Sequence, residues 1–549
     1  MYIEPNTKIR LIKNCPLDKS QENTIYFTSL AAQTTYFTST LNGLLFEKNT
    51  YQRVNRGKLR IAINAEAIYN YNYLAFQNYS FGDRWFYAFI DKIEYVNNVT
   101  SEISYTIDVM QTWHFSYELE QCFVEREHSV TDNIGDNIVE EKLATGEYLI
   151  SNYSEPSALS TLSIVLFSTG YWEQGTVGRT WKDVGMFVKQ TNGGLYPSGL
   201  KPIIFPLTPQ GISDCNDWIN DLPITKQNAL VSAVIMPTFI ASYISNATHE
   251  VQRVNTLMRS DGTGVKNNKC LVYPYNFLYV TNYQGNSATY KYEFFNYDSQ
   301  SPNSIYFALL GGYSADPSVY IVPFSYKGSY DDNLDEAIQI SGFPQIAFNM
   351  DAFKAWLAQN ASSIGLSALS VSNNLAESLV SLSPGGSHTM PNPGVHLQGG
   401  NGAVVKNSGG FGTLGTIYTV HTVIGGIMAS AQPPQSHGST NCSGQYSAGM
   451  QTVAFMNKHI TPEYATIIDD YFTMFGYATN KVKVPNRNAR PEWNYVKTIG
   501  CKIQGISSGF GGLPAEDAEE IENIYNNGVR FWNNPAHIGN YSYNNAPTL

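Results

Sequence analysis

The chain has 549 residues, more than one ordinary core organises, so three or four domains are expected. Hydrophobic residues make up 43% and charged residues only 14%, against roughly a quarter in typical soluble proteins, and 38 tyrosines fill part of the gap. The net charge of -11 argues against a protein that grips nucleic acid, because phosphate binding draws on Lys and Arg.

The first 130 residues read as strands. Arg84 to Ile90 leads into Lys92 to Val96, then Ser104 to Val109 and Phe123 to His128, with aromatic and β-branched residues at period two. Asn97-Asn98 is the expected turn between two of them. This pattern predicts half-buried antiparallel strands in a β-barrel or sandwich. In the last strand Glu125 and Glu127 should share one face, with Arg126 and His128 on the other. Such a carboxylate pair suits glycoside hydrolysis, but a structural strand uses the same alternation and is the preferred reading.

Residues 151–265 are mixed in character, with Gly/Pro punctuation at Asn192-Gly193-Gly194 and Tyr196 to Gly199. A second β region follows, where Leu271 to Tyr275 and Tyr290 to Phe295 read as strands. Phe348 to Gln359 predicts a short helix capped by Asn349, with Phe353, Trp356 and Leu357 at helical spacing.

From Ala355 to Asn457 only Glu377 and Lys406 carry formal charges. Within this stretch Ile364–Leu382 and Leu414–Ala431 are apolar runs flanking a Gly/Pro/Asn/Ser-rich segment, each just short of the roughly twenty residues that span a bilayer. A buried helical hairpin is one reading. The other is a segment sequestered in an assembly and released into a membrane, which gains weight because a core hairpin ordinarily keeps a charged outer face.

Charge returns with Lys481, Lys483, Arg487, Arg490, Lys497 and Lys502, opposed only by Glu492 in that window. Pro514 to Asn527 predicts a helix with Pro514 at its first position, acidic residues at its positive end and Gly528 at its close. Ala518, Ile521, Ile524 and Tyr525 form its inner face. The basic window and the acidic helix suit either solvated faces or contacts between subunits.

Chemical motifs fail on context. Gly410 to Gly415 matches GxGxxG but follows no βα strand. His249-Glu250 begins like HExxH, but Arg253 takes the second His position. Cysteines 15, 122, 215, 270, 442 and 501 form no CxxC pair and read as scattered buried thiols. No catalytic residue, cofactor or metal site is expected. The first residues lack an apolar h-region, which predicts synthesis in the cytoplasm without a signal peptide.

Several segments resemble the distal tail knob proteins of Picovirinae podoviruses, short-tailed bacteriophages of Gram-positive hosts. At the N-terminal end these are Asn23 to Ser29 with its loose repeat Thr35 to Ser39, Phe76-Gln77-Asn78, Arg84 to Phe89, Ile107 to Trp113 and Arg126-Glu127-His128. Tyr273-Pro274-Tyr275, Phe472 to Tyr477, Trp493 to Thr498, Asn527-Gly528, Phe531-Trp532 and Ile538 to Tyr541 continue the likeness. It spans roughly residues 20–130, 270–360 and 455–545, leaving 151–265 unmatched.

The resemblance implies a mainly β fold: tandem tail-tube-like antiparallel β-barrel domains, a long apolar, partly helical loop insertion and a short C-terminal helix. The expected division is a tube part at 1–150, an outer knob domain of unknown fold at 151–265, a second tube-like domain at 266–354, the charge-poor loop at 355–457 and a closing tube segment at 458–549. It further implies a structural virion protein, not an enzyme, forming a homohexameric ring at the distal end of the tail. Its implied partners are other tail proteins such as the lower collar, the host cytoplasmic membrane, and double-stranded DNA in transit without sequence-specific binding. The apolar loops would plug the lumen and then enter the membrane. Their membrane-facing residues are expected to be Ile364, Leu366, Leu369, Val371, Leu375, Leu379, Val380, Leu414, Ile417, Val420, Val423, Ile424, Ile427 and Met428. A tail-associated wall hydrolase and a receptor-binding adhesin are the alternatives.

Overall fold

The computed structural model describes residues 7–49, 52–55, 57–78, 84–159, 161–168, 172–174, 181–183, 201–221, 230–241, 247–282, 285–295, 303–312, 318–327, 336–341, 343, 345–347, 453–506 and 512–546. The fold is mainly β. The chain forms two compact units: Met1–Leu149 with Asn255–Asn276 and His459–Leu549, and Ile150–Val254 with Phe277–Lys458.

The first unit opens with a seven-stranded antiparallel sheet. Its order is Gly43–Asn49, Thr7–Lys13, Tyr71–Asn78, Trp85–Asn97, Thr100–Ile107, Lys58–Ile61 and Gln52–Asn55. Both faces are apolar: Ile9, Leu11, Leu59, Ile61, Leu74, Ala88 and Ile103 pack together on one, and Ile12, Tyr73, Ala75, Tyr87 and Phe89 pack with Phe37 on the other. The outermost strands follow one another in sequence, so Asn49 and Gln52 stand at most about 11 Å apart. Covalent continuity thus brings the two ends of the sheet together, which requires it to curl. Its long hairpin turns at Asn98-Val99, where Val99 N donates to Asn97 Oδ1 at 3.0 Å.

A five-stranded sheet follows in the order Asn23–Ile25, Val529–Trp532, Trp493–Ile499, Cys122–Glu127 and Tyr477–Lys483. Two helices cover it. The Ala515–Asn527 helix buries Ile521, Ile524 and Tyr525 against Val496, Val529 and Phe531. As expected, Glu516 and Asp517 occupy its first turn and Gly528 (φ 97°) ends it; Pro514 sits at the cap, one position before the first helical residue. On the other face lies the Pro462–Phe475 helix, with Pro462 in its first turn. Trp493 Nε1 donates to Thr473 O at 2.9 Å, and the rings of Phe475 and Tyr495 meet edge to face. Gly476 closes this helix at φ 65°, where a Cβ would stand 2.3 Å from Glu127 O, so only glycine fits.

The second unit is built on three four-stranded sheets. In one, Leu162–Ser168 lies between Lys201–Pro206 and Leu230–Pro237; in another, Ser304–Gly312 lies between Ala247–Gln252 and Ser318–Pro323. The third, formed largely by this unit, includes Ala454–Ile460 and Asn276–Thr281. Their shared core is aromatic, with Tyr290, Tyr292, Phe295, Phe307, Tyr326 and Phe455 all buried. The span 151–265 therefore contributes strands and the Pro209–Asp221 helix, whose Trp218 packs on Phe205.

Three expectations change. Leu271 closes a 3-10 helix, Val272 is a bend and Tyr273 to Tyr275 a turn, not a strand, because Cys270 N, Val272 N and Tyr275 N bond locally to Asn267 O, Lys269 O and Val272 O. Tyr290 ends a strand, and Tyr292–Phe294 is likewise 3-10, with Phe294 N bonding to Lys291 O. The third concerns the glutamates: a bulge between Val124 and Arg126 resets the strand's phase. Cys122, Val124 and Glu127 are consequently buried while Glu125 stays half-exposed, so the two carboxylates do not share a face. The helix expected at Phe348 to Gln359 lies outside the described residues.

Candidate functional site

The first unit is stitched together by a buried polar network in which each charge has a specific partner. The returning segment 255–276 supplies Arg259, Asn267 and Lys269. Asp469, fully buried on the Pro462–Phe475 helix, accepts from Lys266 N and Asn267 N, each at 2.9 Å, and pairs with Arg259, which also reaches Asp470 at 2.9 Å. Lys269 donates to the carbonyls of Asn137 and Val139, and Asn268 N donates to Asp132 at 3.0 Å. Glu141 pairs with Arg126 and accepts from Ala478 N at 2.9 Å. Saturated partners of this kind are what make buried charge tolerable.

His128 sits within this network. Tyr495 N donates to its Nδ1 at 2.8 Å, so the ring proton lies on Nε2, which donates to Thr473 O at 3.1 Å. Burial, then the nearby Arg490, Arg530 and Arg126, lower its pKa to about 3. A histidine held neutral between two backbone groups ties the Trp493–Ile499 strand to the Pro462–Phe475 helix. The glutamates are equally occupied: Glu127 pairs with Lys483 and accepts from Asn486 N at 3.1 Å, and Glu125 meets Lys497 at 2.9 Å. The two acids thus lack the shared open cleft that glycoside hydrolysis requires.

The basic window is dispersed in the same way. Lys483, Lys497 and Lys502 pair with Glu127, Glu125 and Glu522, Arg490 donates to Ser129 O, and Arg487 stacks on Tyr117 and Tyr26. Elsewhere, His249 touches Ser154 at 3.0 Å and the ring of Phe455, while Arg253 Nη2 reaches Asn303 at 3.3 Å, a packing role for the failed zinc motif. Among the described residues no group of three or more His, Cys, Asp and Glu could hold a metal ion, and no helix is long and apolar enough to cross a membrane.

One exposed feature is a sheet edge that carries an apolar stripe. Tyr477–Lys483 is the outermost strand of the five-stranded sheet, and its Val482 stands opposite Phe123, which stands opposite Ile499. These three neighbours on one face are exposed by 68%, 36% and 58%, forming an apolar stripe across three strands. On the opposite face the Ala515–Asn527 helix presents Glu516, Glu519 and Glu520 outward. Unpaired strand edges beside apolar side chains are templates for association. Neither this stripe nor Asp469 was legible in advance, because both depend on which distant strands become neighbours. The apolar positions from Ile364 to Met428 lie outside the described residues.

Residues 238–546 match the sequence model of the C-terminal domain of the Bacillus phage phi29 tail knob protein gp9. Residues 5–118 match that of the caudoviral major tail protein N-terminus. The tail knob protein gp9 of Bacillus phage PZA is 25% identical, with 98% of each chain covered. Those of phages B103 and phi29 are each 24% identical at the same coverage. The structure of the bacteriophage C1 tail knob protein, gp12, superposes with a TM-score of 0.58 over 97% of this chain and 98% of that one, at 16% identity, a likeness of fold.

Proposed function

The chain belongs to the family of the tail knob protein gp9 C-terminal domain, matched over more than half its length, and from that premise we propose how it works in the virion. It is a structural protein at the distal end of a phage tail, not an enzyme, and it associates with other tail proteins. In our reading it closes into a homohexameric ring that conducts DNA, with the segments 1–150, 266–354 and 458–549 forming the tube wall and 151–265 the outer knob.

Two features support the ring. The curled seven-stranded sheet suits a tube wall, and ring closure would satisfy the Tyr477–Lys483 edge and its Val482–Phe123–Ile499 stripe in every subunit. A net charge of -11 lets DNA phosphates pass without adhering.

The observation that carries the membrane step is the composition of Ala355–Asn457, with two formal charges in the whole segment. Each Lys or Asp would cost about 2.5–3.5 kcal/mol at a bilayer centre. A single copy is weak, since its apolar runs are short and glycine-broken; a ring brings the copies together at high effective concentration. Small residues such as Gly415, Gly425, Gly426 and Ala429 permit close helix contacts, and Thr416, Thr419 and His421 suit a watery centre. The test is dye release from liposomes by the assembled protein under acidic conditions, against a variant lacking residues 362–431. Release should require the segment, and Val371→Asp or Ile424→Asp should suppress it. Equal release from the intact and deleted proteins overturns the membrane step, and a protein that stays monomeric at micromolar concentration overturns the ring.

A further inference from the structure

Two cysteines separated by most of the sequence lie side by side in the first unit. The ladder fixes this: Phe123 pairs with Ile499, Leu119 pairs with Ile503, and Glu120 N donates to Lys502 O at 2.9 Å. Between those anchors Gln121 and Cys122 run alongside Gly500 and Cys501. In an unbroken ladder Cys501 would point away from Cys122. Gly500 takes φ 66°, a left-handed turn that reverses the alternation. Both sulfurs accordingly enter one core cluster with Val496, Ile521 and Tyr525.

Each thiol influences the titration of the other, and Thr498 lowers both. Cys501 is held in place because its N–H and the Thr498 hydroxyl each donate to Asn526 Oδ1 at 3.0 Å. Cys122 and Cys501 are 5% and 1% exposed, yet Gln121 and Lys502 beside them face solvent, so the sulfurs lie just beneath the surface.

We propose that Cys122 and Cys501 are a dithiol site that a peroxide oxidises to a disulfide once the folded protein has left a reducing cytoplasm. The sulfur of Cys122 attacks one oxygen of hydrogen peroxide; the O–O bond breaks, the thiol proton leaves with the departing oxygen as water, and a sulfenic acid forms. The sulfur of Cys501 then attacks the Cys122 sulfur. The S–S bond forms as the S–O bond breaks, and the expelled hydroxide takes the Cys501 proton as a second water. Two thiols are oxidised and one peroxide is reduced. Burial raises both thiols above their usual range, Cys501 to about 12. At Cys122 the neighbouring Cys501 and Thr498 side chains oppose that rise. The bond would tie the Cys122–Glu127 strand to the exit of the Trp493–Ile499 strand, locking the sheet that bears the exposed stripe.

The test uses the full-length chain, reduced and then exposed to hydrogen peroxide without denaturant. Two of the six thiols should disappear, and a non-reducing digest should yield one linked pair, residue 122 with residue 501. Tm should rise by several degrees and fall back on reduction, since the bridge closes a long loop. Cys122→Ser and Cys501→Ser should each abolish the link and the rise. A wild-type digest decides the matter even where a variant folds poorly. Linkage through other cysteines, retention of all thiols in the folded protein, or linkage only in denaturant would each overturn the proposal.

Discussion

The two units solve the same problem, a β-rich core, with different chemistry. Among the described residues every buried charged side chain belongs to the first unit: Glu102, Asp108, Glu127, Glu141, Arg259, Lys269, Asp469, Arg490 and Arg530. In the second, the buried polar residues are Ser163, Ser232, Thr281, Asn282 and Asn457, all uncharged, around a cluster of tyrosines and phenylalanines. The first unit is assembled from three separated pieces of chain. Directional ion pairs and backbone-anchored carboxylates specify which piece meets which, where apolar contact alone discriminates poorly. The second unit gains its order from interlocking rings, such as Tyr290 against Phe307 at 5.2 Å and Phe307 against Phe455 at 4.8 Å.

The contrast is broken most directly by one substitution in each unit. Asp469→Ala takes the buried partner from Arg259, leaving it only the exposed Asp470 and Asp261, and removes the acceptor for two backbone amides, and should cost about 3–5 kcal/mol. Phe307→Ala leaves a cavity in the aromatic core and should cost about 3–5 kcal/mol. Peptide-resolved hydrogen exchange should report the first loss in 255–276 and 459–475 and the second in 276–326. A uniform loss of protection from either substitution would mean that the two chemistries are not separable.

Acid should distinguish the units by a smaller amount. His128 at about 3 and His114 at about 4 both lie below the ordinary value of 6.5, so the unfolded chain binds protons that the fold refuses. Their contribution is intact above about pH 6.5 and is lost as pH falls toward 4. At pH 5 this amounts to about 1–2 kcal/mol per histidine. Asp108, raised to about 6 by burial, works oppositely: the fold binds its proton first, so falling pH through 6 returns some stability. The second unit carries His249 alone among the described histidines, at about 4. Between pH 7 and 5 the first unit should therefore lose more denaturant resistance than the second, read by pulse-labelling at one fixed pH after incubation at each. His128→Gln should flatten the slope of the first unit and leave the second unchanged.

The smallest effect on folding is expected at the stripe. Val482→Lys changes an exposed side chain and should alter the stability of either unit by no more than about 0.5 kcal/mol. Self-association, measured by sedimentation velocity, should nonetheless fall sharply. Normal assembly of this variant would remove the edge from the subunit interface.

Much of the local structure was legible in the residues themselves. Period-two aromatics announced the Trp85–Asn97 and Thr100–Ile107 strands, and the acidic first turn and Gly528 framed the Ala515–Asn527 helix with Ile521, Ile524 and Tyr525 inward. These signals are local, because a strand or helix face is decided by side chains a few positions apart. They failed where local hydrogen bonds competed with the ladder, as at Leu271 to Tyr275, and where one bulge residue reversed a face, as at Glu127. The partnership of Asp469 with Arg259, the meeting of Cys122 with Cys501 and the alignment of Val482, Phe123 and Ile499 join segments hundreds of residues apart. Such pairings follow from strand order and register, which no short-range pattern encodes, so composition and periodicity alone determined the β character and the charge-poor segment, while only the tertiary structure decided which charges are buried and which edge is left open.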